Sequence, residues 1–328
     1  MSGVTIAVIG AGMAGLACAE ALTAQGHRPI LFDKGRGPAG RMATRRLKTP
    51  AGEVVFDMGA QYFTVRNPDF AEAVSRWLEL GLVAPWPDAG PQAWVGAPSM
   101  TAPLKAMAAG LEVEWNSFVM GLSRHEGQWR VHTKTGEAGD FDAVAIALPA
   151  EQATPLLALT DPSFHRRNLL SPTSPCWTAM LTFSEPLSTS SSILRQRGCV
   201  QWAARNSAKP GRVGPEAWTV HASHDWSLAH LEQSAEWVAD ALCDALLTLT
   251  EDEGRDYVTA SAHRWRFALS TGLGLDSLWN RQIRLGVCGD WLLAPRVESA
   301  WLSGVSLARR IGADVNEPKS QAETILAN

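Results

Sequence analysis

The sequence predicts a mixed α/β fold in which a helix-covered parallel sheet is interleaved with an α+β domain built on an antiparallel sheet. Three observations predict it. The chain opens with a buried strand, a three-glycine turn and an Ala/Leu-rich helix. Isolated β-branched and aromatic runs, separated by polar turns, fill its middle. A second strand–glycine–helix unit returns near residue 290. At 328 residues the chain exceeds the usual single-domain length, so one large or two interleaved domains are expected.

The opening unit carries the first chemistry. Val4–Gly10 (VTIAVIG) is short, β-branched and apolar, as a strand buried on both faces should be. Met13–Gln25 predicts a helix that stops at Gly26, and Arg28–Asp33 (RPILFD) a second strand ending in an acid. Gly10 permits the tight turn, Gly12 lets backbone amides approach a pyrophosphate, and Gly15 lets the helix lie close to the strand. The helix N-terminus adds partial positive charge. In this order the elements form a Rossmann-type cradle for an adenosine diphosphate moiety. Its candidate contacts are Gly10, Ala11, Gly12, Met13, Ala14 and Gly15, with Asp33 accepting from a ribose hydroxyl and Lys34 beside it. The motif alone does not separate NAD from FAD.

Composition excludes several classes. The chain is 46% hydrophobic and 19% charged with a net charge of −4, and its densest basic cluster, Arg41–Lys48, is too short for a nucleic-acid face. Five scattered cysteines without a C-x-x-C pair predict neither a disulfide framework nor a metal site, and suggest a reducing compartment. No apolar stretch is long enough to span a bilayer. No basic region precedes the first apolar run, and its glycines would break a signal helix, so the cytoplasm is the expected location.

After Asp33 a nicotinamide-binding domain would run into another helix, whereas this chain has the loop KGRGPAGRMATRR and then VVFDMGAQYF (Val54–Phe63). These segments resemble the flavin-containing amine oxidase superfamily. There an arginine loop (Gly40-Arg41 here) reaches the flavin pyrophosphate, and a D-x-G-[GA] turn (Asp57, Met58, Gly59, Ala60, then Gln61 and Tyr62) lies against the isoalloxazine. NSFVMGLSRHEGQWRVHT resembles the segment whose valine, Val119 here, meets the adenine, and FDAVAIALPA the strand closing that lobe. RLGVCGDWLLAPRVESAWLSGVSLARRI resembles the second flavin motif, with Gly289-Asp290 at the ribityl phosphate and a helix from about Glu298 and Ser299 pointing its N-terminus at the flavin. FDMGAQYFT, NSAKPGR, AHRWRFA and GDWLLAPRVESAWLSG are more particular and resemble bacterial members of the renalase family. That resemblance implies a glutathione-reductase/amine-oxidase type of fold and noncovalent FAD. It also implies oxidation of the 2- and 6-dihydro isomers of NAD(P)H to NAD(P)+, with dioxygen reoxidising the flavin to give hydrogen peroxide.

The expected FAD-binding domain takes 1–75, 101–150 and 280–328, and the substrate domain takes 76–100 and 151–279. Asn67–Gly81 reads as a helix capped by Asn67, PWPDAGPQAWVGAPSM as an irregular covering loop, and CWTAMLTF, GCVQWAAR and EAWTVHAS as strands. Ser234–Leu249 is an amphipathic helix expected to pack on them. Tyr62, His263, Trp265 and Trp291 are the candidate substrate-positioning residues, because aromatic faces stack on a nicotinamide or adenine ring; a core role is the other reading of His263 and of the tryptophans. Arg205, Lys209 and Arg212 suit a substrate pyrophosphate or, equally, a solvated face.

Oxidising a dihydropyridine restores an aromatic pyridinium, so a hydride leaves and no proton need be removed. The protein then has to position the donor carbon. No Ser/His/Asp arrangement or metal motif contradicts this. Amine oxidation is the alternative, and it is disfavoured by only two tyrosines and by Lys209 as the sole lysine between Lys134 and Lys319. A second alternative is a flavin-free binding protein of the same fold, against which the intact glycines, Arg41 and Asp290 argue. The expected partners are a dinucleotide and dioxygen, with no nucleic acid, no membrane and a plausible monomer.

Overall fold

The computed structural model describes residues 3–50 and 52–316; the ends of the expected FAD-binding domain, 1–2 and 317–328, lie outside the described residues. The main sheet has the spatial order Leu278–Asn280, Leu285–Val287, Ala143–Ile146, Thr5–Ile9, Arg28–Phe32, Glu112–Glu114. Its strands run parallel except Leu278–Asn280, which joins one edge antiparallel. Thr5–Ile9 has neighbours on both sides and is covered on both faces, which explains its unbroken apolar run.

The two faces of this sheet feed separate cores. Ile6 and Val8 pack with the helix Met13–Ala24 and the long helix Val297–Asn316, while Ala7 and Ile9 pack with Trp129 and Phe141. Those last two belong to a three-stranded antiparallel sheet of Val119–His125, Gln128–Thr133 and Gly136–Phe141. The two helices approach each other at glycine: a Cβ on Gly304 would stand 2.1 Å from the Ala14 carbonyl oxygen. Such distances leave room for hydrogen only.

The second layer is a five-stranded antiparallel sheet ordered Ile193–Arg197, Val200–Arg205, Glu216–Ala222, Thr173–Phe183, Thr259–Ser270. Helix Ala235–Thr250, capped by the Ser234 side chain accepting from the Trp237 amide, buries Val238, Leu242, Cys243 and Leu246 against one face. Strand alternation sends Thr178, Trp202, His221 and His263 to the other face. The hairpin Thr44–Thr49/Gly52–Asp57 bridges the layers, with Val54 and Phe56 packed on Met180 and Ala217.

Helix Pro68–Glu79 is capped by Asn67 and runs unbroken across positions 75 and 76, where the expected domain boundary falls; its Phe70, Val74 and Trp77 share the core of the first helix. The covering loop is more regular than its prolines and glycines suggest. It contains the strand Ala93–Gly96, because its prolines and glycines fall mostly on either side and leave AWVG free to pair with Phe63-Thr64 and with Val83–Pro85, the strand that leads into the loop. Among the described residues no helix is long and apolar enough to cross a membrane, and no three His, Cys, Asp or Glu side chains are grouped to hold a metal ion.

Candidate active site

The glycine turn, the arginine loop, the Asp57–Tyr62 turn and the Gly289-Asp290 unit converge at the ends of the parallel strands. Gly10 takes a left-handed φ of 105°, and a Cβ on Gly15 would stand 1.9 Å from the Gly10 carbonyl oxygen. Around Gly12 the space is open, its nearest neighbour being the Gly40 Cα at 3.9 Å from a built Cβ. This leaves the start of helix Met13–Ala24, whose first amides have no partner within the helix, facing a gap. Asp33 closes the back of the turn: one carboxylate oxygen accepts from the Ala11 amide and the other from the Gly35 amide, each at 2.7 Å. Its backbone carbonyl accepts from the Ser117 amide, which brings Val119 alongside.

Arg41 ties the two glycine motifs together. Its Nη2 donates to Asp290 Oδ1 at 2.5 Å and its Nη1 to the Ala268 carbonyl at 3.3 Å. The Ala60 amide donates to the Arg41 carbonyl, and a Cβ on Gly59 would stand 2.0 Å from that same oxygen. Gly59 is therefore required by close approach of two backbones. Glu298 caps a loop from the start of the long helix, its Oε1 accepting from the Arg66 and Asn67 amides, and Ser299 is buried beside it. These glycines and open helix ends fit a flavin dinucleotide.

Beneath the turn lies a buried ion cluster. Lys209 Nζ donates to Asp57 Oδ2 at 3.1 Å and to Gln61 Oε1 at 2.8 Å, and sits 5.3 Å from the centre of the Trp86 ring. Arg212 Nη2 donates to the same Asp57 oxygen at 2.5 Å, while the Met100 amide donates to the other. Burial opposes ionisation of Asp57, but Lys209, Arg212 and the Met100 amide outweigh it and hold the carboxyl below its ordinary range. Burial pushes the Lys209 ammonium down to about 8 against the pull of Asp57.

Gln61 transmits this cluster to a histidine. Because Lys209 donates to Oε1, the amide nitrogen faces the other way, donating to the Asp57 and Gly59 carbonyls and lying 3.3 Å from His221 Nε2. Burial, then the nearby Lys209 cation, push this imidazole down to about 4, so it is neutral at pH 7. Across the antiparallel sheet Trp202 lies opposite His221, His221 opposite Thr178, and Thr178 opposite His263. One row of side chains on four strands therefore faces the turn. Trp202 stacks on Tyr62 at 5.2 Å, Trp265 donates its indole N–H to the Met58 carbonyl, and His263 sits edge-on to Trp265 at 4.5 Å.

Four sequence expectations need correction. Trp291 is fully buried, with its indole N–H on the Leu148 carbonyl, and packs in the core under the parallel sheet, so it offers no face to a substrate. Arg205, Lys209 and Arg212 neither act together as one pyrophosphate clamp nor lie on a solvated face: Arg205 pairs with Glu216, and the buried Lys209 and Arg212 pair with Asp57. The Gln61 side chain is consumed in the ion cluster, and Lys34 is exposed, reaching Gln152. His221, Trp202 and Trp86, which no local motif marks, stand where the candidates Tyr62, Trp265 and His263 meet.

Comparisons with known proteins agree with this geometry. A model of the NAD(P)-binding Rossmann-like domain matches residues 8–77, and a model of the flavin containing amine oxidoreductase family matches residues 87–312. Renalase from Mus musculus is 30% identical over 164 residues, which cover 45% of this chain and 47% of the mouse protein, so the match spans about half of either. Cyclohexylamine oxidase from Brevibacterium oxydans IH-35A has the same fold, with a TM-score of 0.72 at 12% identity over 96% of this chain and 100% of that one. A redesigned putrescine oxidase gives 0.71 at 14% identity over 95% and 98%. The fold is a Rossmann-like domain joined to an amine oxidase domain, and the chain belongs to the flavin containing amine oxidoreductase family.

Proposed function

We propose that this flavin-dependent oxidoreductase is an FAD oxidase of the 2- and 6-dihydro isomers of NAD(P)H, returning NAD(P)+ and forming hydrogen peroxide from dioxygen. Bound flavin supplies the two-electron acceptor for the hydride and the reductant for dioxygen. Gly10 to Gly15 and the helix behind them would hold its pyrophosphate, with Asp33 at the ribose and Val119 at the adenine. Gly40-Arg41, Met58–Tyr62, Gly289-Asp290, Glu298 and Ser299 would surround the rest without a covalent bond.

The observation that carries the substrate class is the neutrality of the side chains facing the turn. His221 is held unprotonated, Tyr62 and Trp202 present stacked rings, and the Lys209 ammonium is bound by Asp57 and Gln61. Hydride loss from a dihydropyridine needs no base and creates a cationic ring, which aromatic faces accommodate. The partial likeness to mouse renalase supports the same reading. The five free cysteines fit a reducing compartment, which suits repair of dinucleotides in the cytoplasm.

The stacked Tyr62–Trp202 pair also favours a second reading, oxidation of a neutral amine packed against that pair. Air-saturated assays separate the two. Peroxide should form with 6-dihydro-NAD or 2-dihydro-NAD and not with small alkyl or diamine substrates; peroxide from the amines alone would assign the second reading.

A further inference from the structure

A cavity of about 250 Å³ lies on the other side of the ion cluster, walled by the Thr44–Asp57 hairpin, the start of helix Ala102–Ala109 and the loop 206–217. Three cationic residues, Arg46, Lys105 and Arg212, line it and no acidic residue does, in a chain whose net charge is −4. The side chain of Arg212 is 3% exposed. Its Nη1 donates to the Gly96 and Pro210 carbonyls and its Nη2 to Asp57, yet the buried Nε has no partner. A buried guanidinium N–H left unpaired costs free energy, and Arg212 is part of the cavity wall. Lys105 is exposed, and Arg46 is held only loosely, 3.6 Å from Glu53. Ser99 and Ser207 add hydroxyls to the wall.

We propose that this cavity binds a phosphate group of a nucleotide. Its volume falls below the range of about 300–1,000 Å³ typical of sites that enclose whole organic ligands, which suits a phosphate or pyrophosphate with the remainder outside. The binding chemistry is that of guanidinium and ammonium donors on phosphate oxygens. The cavity also touches the redox side of the molecule. Arg212 shares Asp57 with Lys209, and the wall residues Val54 and Ala217 pack in one small cluster with Met58. The phosphate has two sources: the distal part of a dinucleotide substrate, or a separate nucleotide.

Calorimetric titration of the FAD-loaded protein with inorganic pyrophosphate and with ADP tests the site. The side chains of Arg46 and Lys105 reach out from the rim, so Arg46→Ala/Lys105→Ala should fold and retain flavin. We expect one saturable site in the wild type, weakened at least tenfold in the double variant and by added salt. No binding to the wild type, or equal binding to the double variant, would overturn the proposal. Competition assigns the source. ADP that raises KM for the dinucleotide without lowering kcat shares the substrate's phosphate subsite, whereas ADP that binds alongside the substrate occupies its own. The titration reads the cavity whatever compound the flavin oxidises, so its failure is separate from failure of the dihydronicotinamide assignment.

Discussion

Replacing Asp57 by asparagine should be among the most damaging single changes available near the site. The Asp57 carboxylate is 1% exposed and is the counter-ion of both Lys209, fully buried, and Arg212. Removing one partner of a buried ion pair leaves an uncompensated charge and costs roughly 3–5 kcal/mol. Here two cations lose their partner, although Lys209 can shed its proton, since burial already lowers it to about 8. Lys209→Met is the informative contrast. It leaves Asp57 with Arg212 and the Met100 amide and removes a buried ammonium, so its cost should stay below about 2 kcal/mol. Urea unfolding of the flavin-free protein, followed by tryptophan fluorescence, ranks the two. An Asp57→Asn midpoint at or above that of Lys209→Met would refute the ion-cluster reasoning.

Further outcomes concern the same residues. His221 titrates near 6.5 when unfolded and is held down to about 4 when folded, so between those values the unfolded chain binds the extra proton. Its contribution is complete above pH 6.5 and declines as pH falls toward 4, by on the order of 3 kcal/mol; His221→Gln should flatten the stability–pH curve in that window. Gly12→Val, in open space, should leave a folded protein that cannot retain FAD, whereas Gly15→Ala, whose Cβ would meet the Gly10 carbonyl, should destabilise the fold itself; circular dichroism and flavin absorbance separate them. Trp202→Ala should lower kcat/KM with a smaller loss of stability, while Trp291→Ala should cost roughly 3–5 kcal/mol in thermal or urea unfolding.

What could be read from the sequence was what is local. Strand, glycine turn, helix and acid follow one another within Val4 to Asp33, and in the structure Gly10 and Gly15 stand in close approaches while Gly12 faces open space. Three of the five strands of the second layer were equally legible, whereas Ile193–Arg197, Thr259–Ser270 and the register of all five were not. Trp202, His221, Thr178 and His263 share one row only because four strands align in space. Asp57 and Lys209 lie 152 residues apart, and lysine is so seldom buried that Lys209 reads as a surface cation until Asp57 is placed beside it. Trp291 misled for the opposite reason: adjacency to Gly289-Asp290 suggests the site, while the turn of the short helix Asp290–Leu293 points its ring into the core.

The substrate assignment is tested most directly by anaerobic mixing of the FAD-loaded protein with one equivalent of 6-dihydro-NAD, followed by the visible absorbance of the flavin. Rapid bleaching with stoichiometric formation of NAD+, and no bleaching by cyclohexylamine or putrescine, is the predicted result. A flavin that stays oxidised with the dihydronicotinamide and is bleached by an amine would contradict it.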